Sequence, residues 1–297
     1  MDPTAAIKGP DPSVTVLSCV PLPMSKLPPI TIADVSITID AGRLDLPAAY
    51  LPFASSNHQD IRLALLTGTN DLNIGVKAFD SPPIWSLYRS SEGSFFRIYD
   101  SYPDLRRTLF IPDDGGSAQL IFQGGDRDPF AGPALELLMI THLARRDGVI
   151  LHGCGISTGG RGIVFAGESG AGKSTLSRLW AQQAGIEILS DDRVIVRRQS
   201  GSFYLYGTPW HGDEAFAAPG GVELSHIFFI RHGQGNHIRK LSAAGAVCEM
   251  LKCSFPPLWD AGGMAAALEL FHSVATSVPC AELTFVPDAS VIDFVMP

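Results

Sequence analysis

The 297-residue chain is short of several things at once. No apolar run approaches the roughly 18 residues that a spanning helix needs, which excludes a helical membrane protein. The N-terminus, MDPTAAIKGPDPSV, has no basic start followed by an apolar stretch, so no signal peptide is expected. Positive charge is scarce: 22 Lys and Arg stand against 30 Asp and Glu, a formal net charge of −8. Nucleic-acid binding draws on clustered positive charge, and so does binding to an anionic membrane, so neither partner is expected. Five cysteines are scattered at 19, 154, 248, 253 and 280 without a C-x-x-C pair, a pattern that fits a reduced, cytoplasmic protein.

What is present is a globular composition, 45% hydrophobic and 18% charged, long enough for one large or two ordinary domains. Residues 1–29 are rich in Pro and Ser without a sustained period and read as a flexible N-terminal arm. From 30 to about 130 the pattern is short strands between turn residues. Ile30–Asp40 alternates with one slip near Asp34, and Ile61–Leu66 is a short apolar run. Trp85–Tyr88 and Ser94–Tyr99 flank one hairpin loop; Leu109–Pro112 and Ala118–Gln123 flank another. The character changes at Pro133. Ala134–Arg146 sets Leu135, Leu138, Met139, His142 and Leu143 on one face, an amphipathic helix stopped by Gly148. A β-rich domain over 30–130 and an α/β domain over 133–297 are therefore expected.

The chemistry lies in the second part. Gly167-Glu168-Ser169-Gly170-Ala171-Gly172-Lys173-Ser174 fits the phosphate-loop pattern G-x-x-x-x-G-K-[ST], with Thr175 next in line. Glycines let backbone N–H groups curl round phosphates, and the helix that follows points its positive end at the same anion. Lys173 is placed to reach the β- and γ-phosphates, and the Ser174 hydroxyl to ligate Mg²⁺; Thr175 is a weaker metal candidate. The apolar run Ile163–Ala166 before the loop and the helical pattern Ser174–Ala184 after it supply the strand and helix that the pattern needs.

Upstream, Val149–Ile156 is an apolar strand containing His152, and Gly159-Gly160 suits a two-residue hairpin turn. Pairing across that turn puts His152 opposite Gly167, beside any bound phosphate. Downstream, an apolar strand ends in Asp191-Asp192 and resumes as Arg193–Val196. Acids at a strand end beside a phosphate loop are positions for Mg²⁺ and for a base. In extended backbone their side chains point to opposite faces, so one aspartate is free to take the proton while the other holds metal.

Leu151-His152-Gly153, Gly167–Ser174 and Ser190-Asp191-Asp192 together resemble the HPr kinase/phosphorylase family, and especially its shorter, related members. The resemblance covers about 149–198 strongly. It implies an HPr kinase/phosphoenolpyruvate-carboxykinase-like P-loop domain of mixed α/β sheet; the small β-rich domain expected before it rests on the strand pattern alone and has no part in the resemblance. It also implies ATP and Mg²⁺ as cofactors and transfer of the γ-phosphate to a serine of a protein or peptide. In that family the histidine lies near the phosphates, the loop lysine binds them, the loop hydroxyl ligates Mg²⁺ and an aspartate is the base. Those roles map onto His152, Lys173, Ser174, Asp191 and Asp192, with both aspartates candidates for metal and base. The family's ring-shaped oligomers make a homo-oligomer a candidate state. Shorter relatives act in peptide-modification pathways, including phosphorylation of lasso-peptide precursors at a C-terminal serine.

The E-x-R-G sequence that follows the aspartates in HPr kinases is replaced here by Gly207-Thr-Pro-Trp210-His211-Gly212-Asp213-Glu214, a candidate acceptor-side loop. Arg231 and Arg239 are candidates for neutralising transition-state charge. His226, His232 and His237 lack metal-ligand spacing, so no zinc is expected. Cys248 and Cys253 read as core residues or inert thiols, and Cys154 as packing beneath the site. Two other functions fit the same loop: a small-molecule kinase, and a nucleotide-binding regulator or NTPase without a phospho-acceptor. The absence of N-K-x-D and L-S-G-G-Q sequences disfavours GTPase and transporter-ATPase readings.

Overall fold

A computed structural model describes residues 20–21, 27–41, 44–56, 60–68, 74–81, 83–101, 104–123 and 128–295. Most of the expected arm lies outside those residues. Within it, β1 (Val20–Pro21) pairs with a sheet strand and Leu27 is buried, so the arm is tied down in part.

The first sheet adds β2 (Ile30–Ile32), β3 (Val35–Asp40), β4 (Ile61–Thr67), β5 (Val76–Ser81), β6 (Trp85–Arg89), β7 (Gly93–Ser101), β8 (Asp104–Pro112) and β9 (Ala118–Phe122). Its order is β2-β3-β4-β9-β8-β7-β6-β5, with β1 also on β4. The slip near Asp34 is a tight turn: Ala33 and Asp34 both have positive φ and split the run into β2 and β3. A 3₁₀ helix, Ala48–Phe53, lies between β3 and β4 and buries Tyr50 and Phe53.

Helix α1 (Ala134–Leu143) corrects an expectation. It ends three residues early, and it is buried nearly all round, through Ala134, Leu135, Leu137, Leu138, Met139, Ile140 and Leu143. A one-sided stripe suits a helix with one wet face; α1 instead lies between the two sheets. One apolar cluster joins it to Ile39, Leu63 and Phe96 on one side and to Ile150, Ile195, Tyr206 and Trp210 on the other.

The second sheet comprises β10 (Gly148–Thr158), β11 (Arg161–Ala166), β12 (Ile186–Ser190), β13 (Arg193–Gln199), β14 (Ser202–Tyr206), β15 (Gly221–His232), β16 (His237–Lys240) and β17 (Cys280–Phe285). Its order is β11-β10-β13-β14-β15-β17-β16, β12 pairs with β10, and β11 also pairs with β15. The last pairing closes five strands into a ring. Both sheets mix parallel and antiparallel pairs.

Helices α2 (Lys173–Ala181) and α5 (Ser290–Val295) cover one face of the second sheet. Leu176 and Trp180, one helical turn apart, pack there on Phe165 and Phe285. Trp180 is fully buried and stacks on Phe165 at 5.7 Å; truncating such a residue to Ala costs about 3–5 kcal/mol. Helices α3 (Ala243–Lys252) and α4 (Ala261–Ser277) cover another face through Ala246, Met250, Leu270 and Phe271. Each begins at a side-chain cap: Ser242 accepts from the Gly245 N–H, and Asp260 from the Gly262 N–H. Among the described residues no helix is long and apolar enough to cross a membrane.

Candidate active site

The β10–β11 hairpin turns at Gly159 and Gly160, with φ of +53° and +77°, the positive pair that a primed turn demands. The ladder pairs Thr158 with Arg161 and runs without slip to Gly153 with Ala166. One step further, the Gly167 N–H donates to the His152 carbonyl at 3.3 Å, so the histidine lies opposite the start of the loop.

The loop rises from the end of β11 and enters α2 at Gly172, whose φ is +103°. A Cβ there would meet the Phe285 ring at 2.7 Å. Lys173 is only 7% exposed. Its ammonium donates to the carbonyls of Gly167 and Glu168, both at 2.9 Å. Among the described residues no carboxylate comes within ion-pair distance of it. Burial lowers its pKa. The first N–H groups of α2, at Lys173, Ser174 and Thr175, have no acceptor within the helix. A buried lysine without a carboxylate and a row of open amides form a cradle that fits phosphate.

Facing the loop, Asp191 and Asp192 form a bend between β12 and β13. The expectation that they point to opposite faces fails, because the backbone is not extended there; both line the same cleft. Their environments nonetheless differ. Asp191, 2% exposed, accepts from the Gly212 N–H at 2.9 Å and the Glu214 N–H at 3.0 Å. Asp192 Oδ1 lies 3.0 Å from His152 Nε2, and Oδ2 contacts the Arg193 guanidinium. Burial alone would raise the Asp192 pKa, but the His152 hydrogen bond and the charges of Arg193 and Lys173 bring it below the usual carboxylate range. Arg193 in turn lies 2.8 Å from Glu136 of α1 and over the Phe255 ring at 5.0 Å.

These walls enclose a cleft of about 440 Å³, open to solvent, lined by His152, Ser169, Gly170, Gly172, Lys173, Ser174, Thr175, Asp191, Asp192, Gly212, Asp213 and His232. Gly167, Glu168 and Ala171 belong to the loop without lining the cleft; the Ala171 N–H closes on the Glu168 carbonyl at 3.1 Å. Among the described residues no three His, Cys, Asp or Glu side chains cluster as a metal site. Mg²⁺ in nucleotide sites is held by one or two carboxylates plus phosphates, and Ser174, Asp191 and Asp192 are the oxygens available for it.

Two arginine candidates fall outside the cleft. Arg231 pairs with Glu249 at 2.5 Å, and Arg239 with Glu282 at 3.1 Å. Of the acceptor-side loop, Gly212 and Asp213 line the cleft, Glu214 pairs with Arg178 of α2 at 3.6 Å, and His211 is exposed. Cys154 and Cys253 are buried and Cys248 is exposed. Cys154 packs in the cluster beneath the loop, and burial pushes its thiol pKa strongly upward.

His232, weighed above only as a metal ligand, and Arg193 and Glu136, not singled out above, also belong to the site's surroundings. His232 Nε2 lies 2.7 Å from the Gly170 carbonyl. A topological clue existed: β15 runs parallel to the loop strand β11, so its C-terminal end arrives at the loop. For Glu136 the only sequence clue was an acid in a helix otherwise too apolar for a surface.

No protein-family model matches the sequence, and no curated protein matches it. Among solved structures, the chain is similar to the Hpr(Ser) kinase/phosphatase from Coxiella burnetii. The two share 12% identity at a TM-score of 0.24, over 43% of this chain and 92% of that one. A likeness of that strength carries no argument about activity.

Proposed function

We propose that the cleft binds ATP with Mg²⁺ and transfers the γ-phosphoryl group to a hydroxyl, that of a serine in a protein or peptide. One observation carries this reading. A phosphate cradle with a buried lysine faces, across a single cleft, an aspartate hydrogen-bonded to histidine. A site that only held nucleotide needs the first wall; transfer to a hydroxyl needs the second as well. The cleft's openness favours a peptide over a small enclosed acceptor.

Phosphoryl transfer asks mainly for position and charge. Lys173 and the α2 amides hold the phosphates. Bound Mg²⁺ supplies charge neutralisation, with Ser174 and Asp191 as its protein oxygens. Asp192 takes the proton of the acceptor hydroxyl as its oxygen bonds to phosphorus and the bond to the β-phosphate oxygen breaks. His152 holds its orientation through the hydrogen bond to Oδ1. Asp191, its two oxygens already bonded to backbone amides, is the poorer base.

The test is label transfer from γ-labelled ATP to synthetic serine peptides, with Mg²⁺ present and then chelated. Labelled phosphoserine that vanishes on chelation and in Lys173→Ala is expected. Nucleotide binding with label reaching only water would replace the kinase with an NTPase.

A further inference from the structure

Among the described residues the first sheet supplies none to the cleft, yet its region touches the wall that carries the acids. Tyr50, on the 3₁₀ helix of the first region, is 6% exposed and accepts a hydrogen bond from Trp210 Nε1 at 3.1 Å. Trp210 is 7% exposed and belongs to the same apolar cluster. It sits in the middle of the Gly207–Glu214 loop. Two residues on, that loop begins donating to Asp191, and its Gly212 and Asp213 form part of the cleft wall. The loop has further ties, among them the Gly207 N–H donating to the Gly220 carbonyl at 3.3 Å. The Thr208 hydroxyl donates to the Arg193 carbonyl at 2.6 Å, the Trp210 N–H donates back to that hydroxyl at 3.3 Å, and Glu214 reaches Arg178.

We infer that the Tyr50–Trp210 hydrogen bond pins this loop, making Tyr50 and Trp210 positioning residues through which the first sheet fixes the acceptor side of the cleft. The inference rests on the phosphotransfer reading of the same cleft. The geometry separates the two walls. The phosphate loop is held by β11, Phe285, His232 and its own carbonyls, none of which involves Tyr50. The acid wall is held by a loop whose one large buried side chain is anchored on the first sheet's side. Loosening that anchor should therefore leave nucleotide binding intact and move the acceptor hydroxyl relative to Asp192. Misplacement of reacting groups by small distances is costly in rate.

The experiment uses the full chain with Tyr50→Phe, Trp210→Phe and the double variant. Amide exchange over 207–214 is measured, with ADP affinity, melting temperature, and kcat and KM for transfer to a pool of single-serine peptides. In each single variant, exchange at Gly212 and Glu214 should quicken and kcat/KM should fall, both by roughly tenfold, with ADP affinity within about twofold. The double variant leaves neither member of the pair with an unpaired polar atom and should regain part of the melting temperature lost in the single variants, less the cost of the volume that Phe lacks at position 210, but not its transfer rate. Recovery of both would reduce the pair to a structural contact and overturn the inference. So would unchanged exchange, or unchanged transfer, in the single variants. A wild-type protein that binds ADP but phosphorylates no peptide refutes the kinase reading and with it the acceptor role; exchange at Gly212 and Glu214 still decides whether the pin exists.

Discussion

The two walls of the cleft are built in opposite ways. The wall proposed to hold phosphate is contiguous: residues 167–175 fold on themselves at the end of one strand, and Lys173 bonds to carbonyls five and six residues away. The acid wall is assembled from afar. Asp192 depends on His152, 40 residues distant, and the loop that holds Asp191 is anchored by Tyr50, 160 residues from Trp210. Phosphate recognition needs backbone amides, which a short glycine-rich stretch can supply. Setting a carboxylate's charge and direction needs side chains from several elements.

That contrast explains how much the sequence disclosed. The loop, the hairpin register and the Asp-Asp pair were legible because each obeys a local rule: a spacing, a two-residue turn, a strand end. The strands of the first region were legible for the same reason. The all-round burial of α1 was not, because periodicity reports one apolar face and cannot see a second sheet closing over the other. Glu136 shared that fate, since its meaning depends on Arg193 meeting it across the fold. The shared face of Asp191 and Asp192 was missed because alternation was assumed through a bend.

Substitutions test the two walls separately. Lys173→Ala removes the charge of the phosphate wall and should cut transfer by on the order of 10²–10³-fold. Steady-state kinetics check it, and a loss under threefold would deny that the wall binds phosphate. Asp191→Asn sets an amide NH₂ against one of two backbone donors and should cost about 1–3 kcal/mol of stability, read by urea unfolding. Asp192→Asn should be milder by that measure. Gly172→Ala forces a Cβ into a φ of +103° against Phe285, which should cost about 1–2 kcal/mol. Its nucleotide affinity should fall while the acid wall's exchange pattern stays unchanged.

The smallest effect concerns His142, at the end of α1 away from Glu136. Burial, then Arg146, pushes its pKa down from 6.5 to about 4. Between those values the unfolded chain binds a proton that the folded chain does not, so stability should fall as pH drops from 6.5 toward 4. His142→Asn should flatten that slope in melting curves and leave transfer at neutral pH unaltered. A matching loss of transfer would mean that α1 couples the two ends.

The most direct measurement is single-turnover transfer from Mg²⁺-ATP to a serine peptide by the wild type and Asp192→Asn, each with its ADP affinity determined. The variant's transfer rate should fall by about 10²–10⁴-fold, with ADP bound as tightly as before. Equal rates in the two proteins would contradict it, because the acid wall would then have no part in the chemistry.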